Sequence, residues 1–194
     1  MRVTVFDYGA GNLHSLVKAL DGSEMEVCIE ADAIRAVDTD VLVLPGVGAF
    51  GAATQAFGNG RSHMQQAILS GLPTLGICLG MQLLFDRSDE GDGAGLGVIP
   101  GTVRKLTGRT VPQIGWNTIE PAVGTLAIAY YANSYVCRPD DESCVQAWST
   151  HDDDRFPAVV RLGSAVGVQF HPEKSSSAGV VFIQNFLGRA ERRS

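Results

Sequence analysis

The stretch Val41-Leu42-Val43-Leu44, four apolar residues in a row that end at Pro45-Gly46, restricts the fold more than any other feature. Side chains of a strand alternate between its two faces, so a strand apolar at every position has both faces covered. A parallel sheet enclosed between helices meets that requirement. The rest of the first half agrees. Arg2 to Phe6 is a β-branched and aromatic run that stops at Asp7-Tyr8-Gly9-Ala10-Gly11-Asn12, after which Leu13, Leu16, Val17 and Leu20 recur at helical spacing. Glu26 to Ile29 reads as a second strand and Thr74 to Ile77 as a fourth, with helices predicted over Arg61 to Leu69 and from Met81 to Phe85. Strands alternating with helices predict a doubly wound, mostly parallel α/β sheet. In the second half Thr102 to Leu106, Ala127 to Tyr131, Ser143 to Ala147 and Val159 to Leu162 read as strands with little helix between them, which predicts an antiparallel annex. The chain then returns with a strand over Ala165 to Phe170 and a closing helix from about Ala178 to Leu187, while glycine-rich Glu90 to Gly97 is expected as a surface loop.

Composition narrows the class. The 194 residues suit one domain over 1–194, and 45% hydrophobic residues supply a core without disulfides. Fifteen Lys and Arg against 21 Asp and Glu give a net charge of −6, and the bases are scattered apart from Arg189, Arg192 and Arg193. No broad nucleic-acid footprint is expected. Cys28, Cys78, Cys137 and Cys144 form no CxxC pair, which favours a reducing compartment. Asp7 interrupts the first apolar stretch before a signal-peptide core could form, and no run approaches the roughly 20 apolar residues of a membrane span. A cytoplasmic protein without a membrane or nucleic-acid partner is expected.

Three segments could carry chemistry. In Gly76-Ile77-Cys78-Leu79-Gly80-Met81-Gln82 a strand runs into a helix, with glycine two before and two after a cysteine. That is the pattern of a nucleophile elbow, in which a sharp turn leaves the nucleophile exposed at the strand's carboxyl end. A helix N-terminus favours the thiolate, the nucleophilic form. In Gly167-Val168-Gln169-Phe170-His171-Pro172-Glu173 a buried strand ends at a histidine and a carboxylate. Ligands of open α/β sheets sit at such carboxyl ends, where His171 could serve as base and Glu173 could hold its other ring nitrogen. The loop Leu44-Pro45-Gly46-Val47-Gly48 could aim backbone N–H groups, with that of Leu79, at a developing oxyanion. Each has a bland counterpart: a core cysteine, a surface loop, an ordinary strand-to-helix turn. Gly9-Ala10-Gly11 lacks the third glycine of a dinucleotide fingerprint, because His14 stands there. The zinc-deaminase pattern fails as well, since no Pro-Cys-x-x-Cys follows His171.

Gly-Ile-Cys-Leu-Gly-Met-Gln followed by Gln-Phe-His-Pro-Glu resembles the triad-type, class I glutamine amidotransferases, whose flavodoxin-like domain releases ammonia from glutamine. Asp7-Tyr8-Gly9-Ala10-Gly11-Asn12, Leu44-Pro45-Gly46-Val47-Gly48 and Gln113-Ile114-Gly115-Trp116-Asn117 are similar to the glutaminase subunits that serve imidazole glycerol phosphate synthesis, and the resemblance runs from Val5 to Leu187. It implies a catalytic Cys78, His171 and Glu173, an oxyanion site at Val47 and Leu79, and a glutamine pocket at Gly46, Gln82 and Glu90. It also implies a partner-facing set of Asn12, Trp116 and Lys174, with Trp116 read in a turn. The implied partner is a (β/α)₈-barrel cyclase forming a heterodimer, and neither a metal nor an organic cofactor is called for. Two departures stand out: Thr118 to Ala129 is short for the family, and Asn133-Ser134-Tyr135 stands where a histidine usually precedes Ser or Thr and Tyr. A glutaminase of pyridoxal phosphate synthesis fits Asp7-Tyr8-Gly9 and Gly115-Trp116-Asn117 poorly, and a catalytically silent flavodoxin-like module would not need Cys78, His171 and Glu173 together.

Overall fold

The computed structural model describes residues 1–9, 13–21 and 25–192; Asn12 lies outside them. Along the chain, β1 (Arg2–Phe6), β2 (Glu26–Glu30), β3 (Val41–Leu44) and β4 (Thr74–Ile77) come first, followed by the short β5 (Arg87–Ser88) and by β6 (Gly101–Lys105). The second half supplies β7 (Gln113–Val123), β8 (Leu126–Asn133), β9 (Tyr135–Pro139), β10 (Val145–His151), β11 (Asp154–Leu162) and β12 (Ala165–Val168). The α-helices are α1 (His14–Leu20), α2 (Phe50–Ala56), α3 (Arg61–Leu69), α4 (Leu79–Gln82) and α5 (Ser176–Glu191).

Strands β2-β1-β3-β4-β12 pair in parallel, in that order. This is the doubly wound order of flavodoxin-like sheets. Val41 and Val43 pack into one core with Leu16 and Leu20 of α1 and Ile183 and Leu187 of α5. Their neighbours Leu42 and Leu44 pack into the other with Phe50, Met64 and Ile68 of α2 and α3. All four β3 residues are fully buried. Complete burial stabilises by about 1.5–3 kcal/mol per large aliphatic side chain, so a polar substitution on either face would be costly.

The antiparallel annex does not stand apart. Strands β11, β10, β7 and β8 continue the same sheet outward from β12, and β5-β6-β9 form a small second sheet. The short Thr118–Ala129 stretch is explained by a two-residue hairpin loop, with Val123 opposite Leu126 and Gly124 at φ 63°. The turn expected around Trp116 is instead the middle of β7, in register with β8 from Gln113 opposite Asn133 to Thr118 opposite Ile128. Gly115 and Pro121 obscured its alternating pattern; Gly115 takes φ 131° inside the strand. Strand β9 and helix α2 were not foreseen either, the latter because its apolar side, Phe50 and Ala53, is short and rich in small residues. The helix predicted over Met81 to Phe85 begins at Leu79 and ends at Gln82, because the carbonyls of Leu83 and Leu84 accept from Leu96 and Val98 rather than from a further helical turn.

Candidate active site

The parallel half of the sheet brings three loops to one edge. Cys78 directly follows β4, and its backbone N–H donates to Val168 at the end of β12 (2.7 Å). It adopts φ 48° and ψ −104°, a conformation side chains rarely take, before the chain enters α4. The two elbow glycines make that turn possible. A Cβ on Gly76 would lie 2.5 Å from the Gly80 carbonyl oxygen, and one on Gly80 would run into the Leu44 carbonyl. Strain held at a buried cysteine is a mark of function when the surroundings enforce it.

From β12 the chain leaves the sheet at Gln169, and the His171 N–H donates to Tyr130 of β8 (2.8 Å). Ser175, fully buried, donates to the His171 carbonyl and accepts from the Tyr130 N–H, at 2.7 and 2.9 Å. This double tie fixes the histidine loop on the antiparallel half of the sheet. His171 is 2% exposed, with Nδ1 2.8 Å from Glu173 Oε1. Burial by itself pulls an imidazole down. Hydrogen bonds to Cys78 and Glu173, with their charges, outweigh it and raise His171 from 6.5 to about 10. A cation held beside a cysteine is the arrangement that favours a thiolate.

The shift makes a prediction about pH. The proton on folded His171 is held more tightly than in the unfolded chain, so its contribution to stability is complete below about pH 6.5 and is lost as pH rises through about 10. Imidazole ¹⁵N resonances should therefore show His171 protonated across neutral pH, and Glu173→Gln should bring its titration down. A His171 that deprotonates near 6.5 in the intact protein would refute the charged pair.

A cleft of about 210 Å³ opens beside the nucleophile, lined by Gly46, Gly48, Cys78, Leu79, Gln82, Glu90 and Ala132 to Tyr135. Of the residues expected around glutamine, Gly46, Gln82 and Glu90 are therefore all at the cleft, as is Leu79. Gly46 must lack a side chain, since a Cβ there would sit 2.8 Å from His171 Cε1. Gln82 Nε2 donates to the Tyr135 carbonyl (3.0 Å), and Glu90 Oε2 accepts from the Phe50 N–H at the start of α2 (2.9 Å). Leu79 is the first residue of α4, so its N–H has no acceptor within the helix. Val47 does not line that cleft but a separate cavity of about 160 Å³, shared with Leu13, Ser15, Glu173 and the exposed Lys174. Trp116 is 57% exposed on the outer hairpin, edge-on to Tyr130.

Asn133 is buried, donates to the Tyr135 carbonyl (3.2 Å), and has no hydrogen-bond partner for its Oδ1. Two contributors carry no local sequence signal. Gln169, fully buried, places Nε2 3.6 Å from Cys78 Sγ. Ser175 is the other, and nothing in its local sequence announces that it braces the histidine loop. Among the described residues no three His, Cys, Asp or Glu side chains gather as metal ligands would, and no helix is long and apolar enough to cross a membrane.

A strained cysteine elbow facing a buried His–Glu pair across a flavodoxin-like sheet is the layout of a thiol-dependent amidotransferase. The sequence pattern of the family "Glutamine amidotransferase class-I" matches residues 4–190, and the chain belongs to that family. Within it, the chain is 41% identical to the imidazole glycerol phosphate synthase subunit HisH of Halobacterium salinarum, over 95% of this chain and 92% of that one. It is 38% identical to the HisH of Gloeothece citriformis, over 96% and 95% of the two chains. Two solved structures share the fold. One, described as a glutamine amidotransferase, has a TM-score of 0.74 at 20% identity and covers 97% of this chain and 98% of its own. The other, PurLQS from Thermotoga maritima, has 0.69 at 21%, over 96% and 98%.

Proposed function

We propose that this chain is the glutaminase subunit of an imidazole glycerol phosphate synthase, hydrolysing glutamine at Cys78 and passing the ammonia to a (β/α)₈-barrel cyclase bound as a heterodimer in the cytoplasm. The observation that carries the reading is the buried His171–Glu173 pair set against the Cys78 elbow. The Cys78 thiolate attacks the carboxamide carbon of glutamine, forming a C–S bond and placing negative charge on the amide oxygen. Backbone N–H groups of Val47 and Leu79 stabilise that oxygen. The tetrahedral species collapses with cleavage of the C–N bond, and the imidazolium of His171 gives its proton to the departing ammonia. Neutral His171 then takes a proton from water as it attacks the γ-glutamyl thioester. Glutamate leaves, and the thiolate–imidazolium pair is restored. Glu173 holds the imidazole in one orientation throughout, and the Glu90 carboxylate receives the α-ammonium group of the substrate.

Ammonia release from glutamine, measured with and without a barrel cyclase, tests this reading. No release in either case would defeat it.

Trp116 and Lys174 belong to the docking face in this reading. Trp116 offers its ring on an exposed strand, and aromatic anchors at interface centres contribute about 2–4 kcal/mol. Lys174 stands next to Glu173, where a carboxylate of the partner would report docking to the site. Trp116→Ala should weaken the complex at least tenfold in a titration while barely moving the melting temperature of the isolated chain. Lys174→Ala should blunt stimulation of glutamine hydrolysis by the partner more than it lowers the basal rate. A destabilised Trp116→Ala chain with normal affinity would put Trp116 in the core instead.

A further inference from the structure

The steps above make no use of Tyr8. It lies two residues beyond the end of β1, is buried, and sets its ring edge-on to Phe6 with centroids 5.9 Å apart. Its hydroxyl donates to the carbonyl of Pro45, the residue that directly follows β3, the strand beside β1. The hydroxyl thus ties the ends of two adjacent strands on the sheet edge where Cys78 emerges.

We propose that Tyr8 is a positioning residue for the Pro45–Gly48 loop, fixing the Pro45–Gly46 peptide so that the backbone donors that follow it face the oxyanion formed on Cys78. The inference rests on the glutaminase reading and deepens it. A peptide unit is planar, with its C=O and N–H pointing opposite ways, so pinning the Pro45 carbonyl also sets the Gly46 N–H. The pyrrolidine ring fixes φ at Pro45 itself. On its other side Gly46 is pressed against His171, with no room for even a methyl group. The upstream limb of the loop is therefore clamped between Tyr8 and His171, and its remaining freedom lies further on, at Gly48 with φ 114°. Burial first, and then the charges of Cys78 and Asp7, push the Tyr8 phenol well above its ordinary range. The hydroxyl stays a neutral donor at every working pH, so Tyr8 should add no ionisation to the pH–rate profile.

The test compares Tyr8→Phe and Tyr8→Leu with the wild-type chain, in the presence of the barrel partner. Four quantities are followed: kcat and KM for glutamine, the pH dependence of Cys78 alkylation by iodoacetamide, and the melting temperature. Removing an oxyanion donor costs about 100- to 1,000-fold in kcat, and a donor left in place but less well aimed should forfeit a smaller share. Tyr8→Phe is expected to lower kcat about tenfold, with KM changed less than twofold and the alkylation profile unchanged. Alkylation needs the thiolate but no oxyanion site, so it separates loop placement from damage to the thiol–imidazole pair. Tyr8→Leu should lose a similar factor in kcat. A wild-type kcat in Tyr8→Phe overturns the assignment, whether or not Tyr8→Leu is impaired. So does an alkylation profile that shifts along with kcat, which would put the hydroxyl's effect on the thiol. Wild-type chain that releases no ammonia with its partner present would overturn the glutaminase reading itself, whereas active wild type with an unaffected Tyr8→Phe removes only the role given to Tyr8.

Discussion

Cys78→Ser should reduce glutamine hydrolysis by about 10⁴-fold or more, the loss seen when the nucleophile of a cooperating triad is removed. The swap is nearly isosteric, and the turn at this residue is held through its backbone: its N–H is held by Val168, and its strained φ is imposed by Gly76 and Gly80. Circular dichroism and affinity for the barrel partner should therefore be unchanged while ammonia release disappears. A glutamine-like alkylating agent should label Cys78 ahead of Cys28, Cys137 and Cys144. Of the other three, Cys137 and Cys144 are buried and do not line the cleft, and burial raises the thiols of both. Near-normal hydrolysis by the serine variant, or labelling spread evenly over the four, would remove Cys78 from the role.

Gly80→Ala is the second large effect, and it acts through the backbone. The added methyl would meet the Leu44 carbonyl, and neither side can yield, since Leu44 is a central strand residue paired with Gly76 on β4. Overpacking usually costs about 1–3 kcal/mol, and a clash with backbone belongs at the upper end or beyond it. At about 2–4 °C per kcal/mol for a chain of this size, the melting temperature should fall by roughly 6–12 °C, and glutaminase activity should go with it as the elbow opens. Gly188→Ala is the matched control. Its Cβ would meet nothing closer than the Arg192 guanidinium at 3.8 Å, and an interior helix position gains from alanine over glycine. Scanning calorimetry on the two variants decides the matter, and equal stability would mean that the close approach at Gly80 is not needed.

Much of the parallel half was legible because its signals are local. Four apolar residues at Val41–Leu44 demand two covered faces, and glycines on either side of Cys78 demand a turn that other residues cannot make. The outer strands were harder to read. Strand β7 carries a glycine and a proline inside it, and its pairing with β8 is what makes it a strand, so the local sequence suggests a turn at Trp116, whereas the residue stands on an exposed sheet face.

The sequence by itself determined the chemistry available: a thiol, an imidazole and a carboxylate, each at the end of an apolar run, and glycines where backbone must come close. Residue type and short-range spacing carry that information, because strand alternation and turn sterics act over a few residues. Tertiary structure alone decided how those groups act on one another. The raised basicity of His171 comes from Cys78, 93 positions away, and from Glu173, both acting against the burial beneath the Gly46 turn; the brace at Ser175 and the clamp from Tyr8 to Pro45 likewise join segments distant along the chain. Electrostatic and hydrogen-bond energies depend on distance and on exclusion of water, and both are properties of the packed sheet edge rather than of any segment within it.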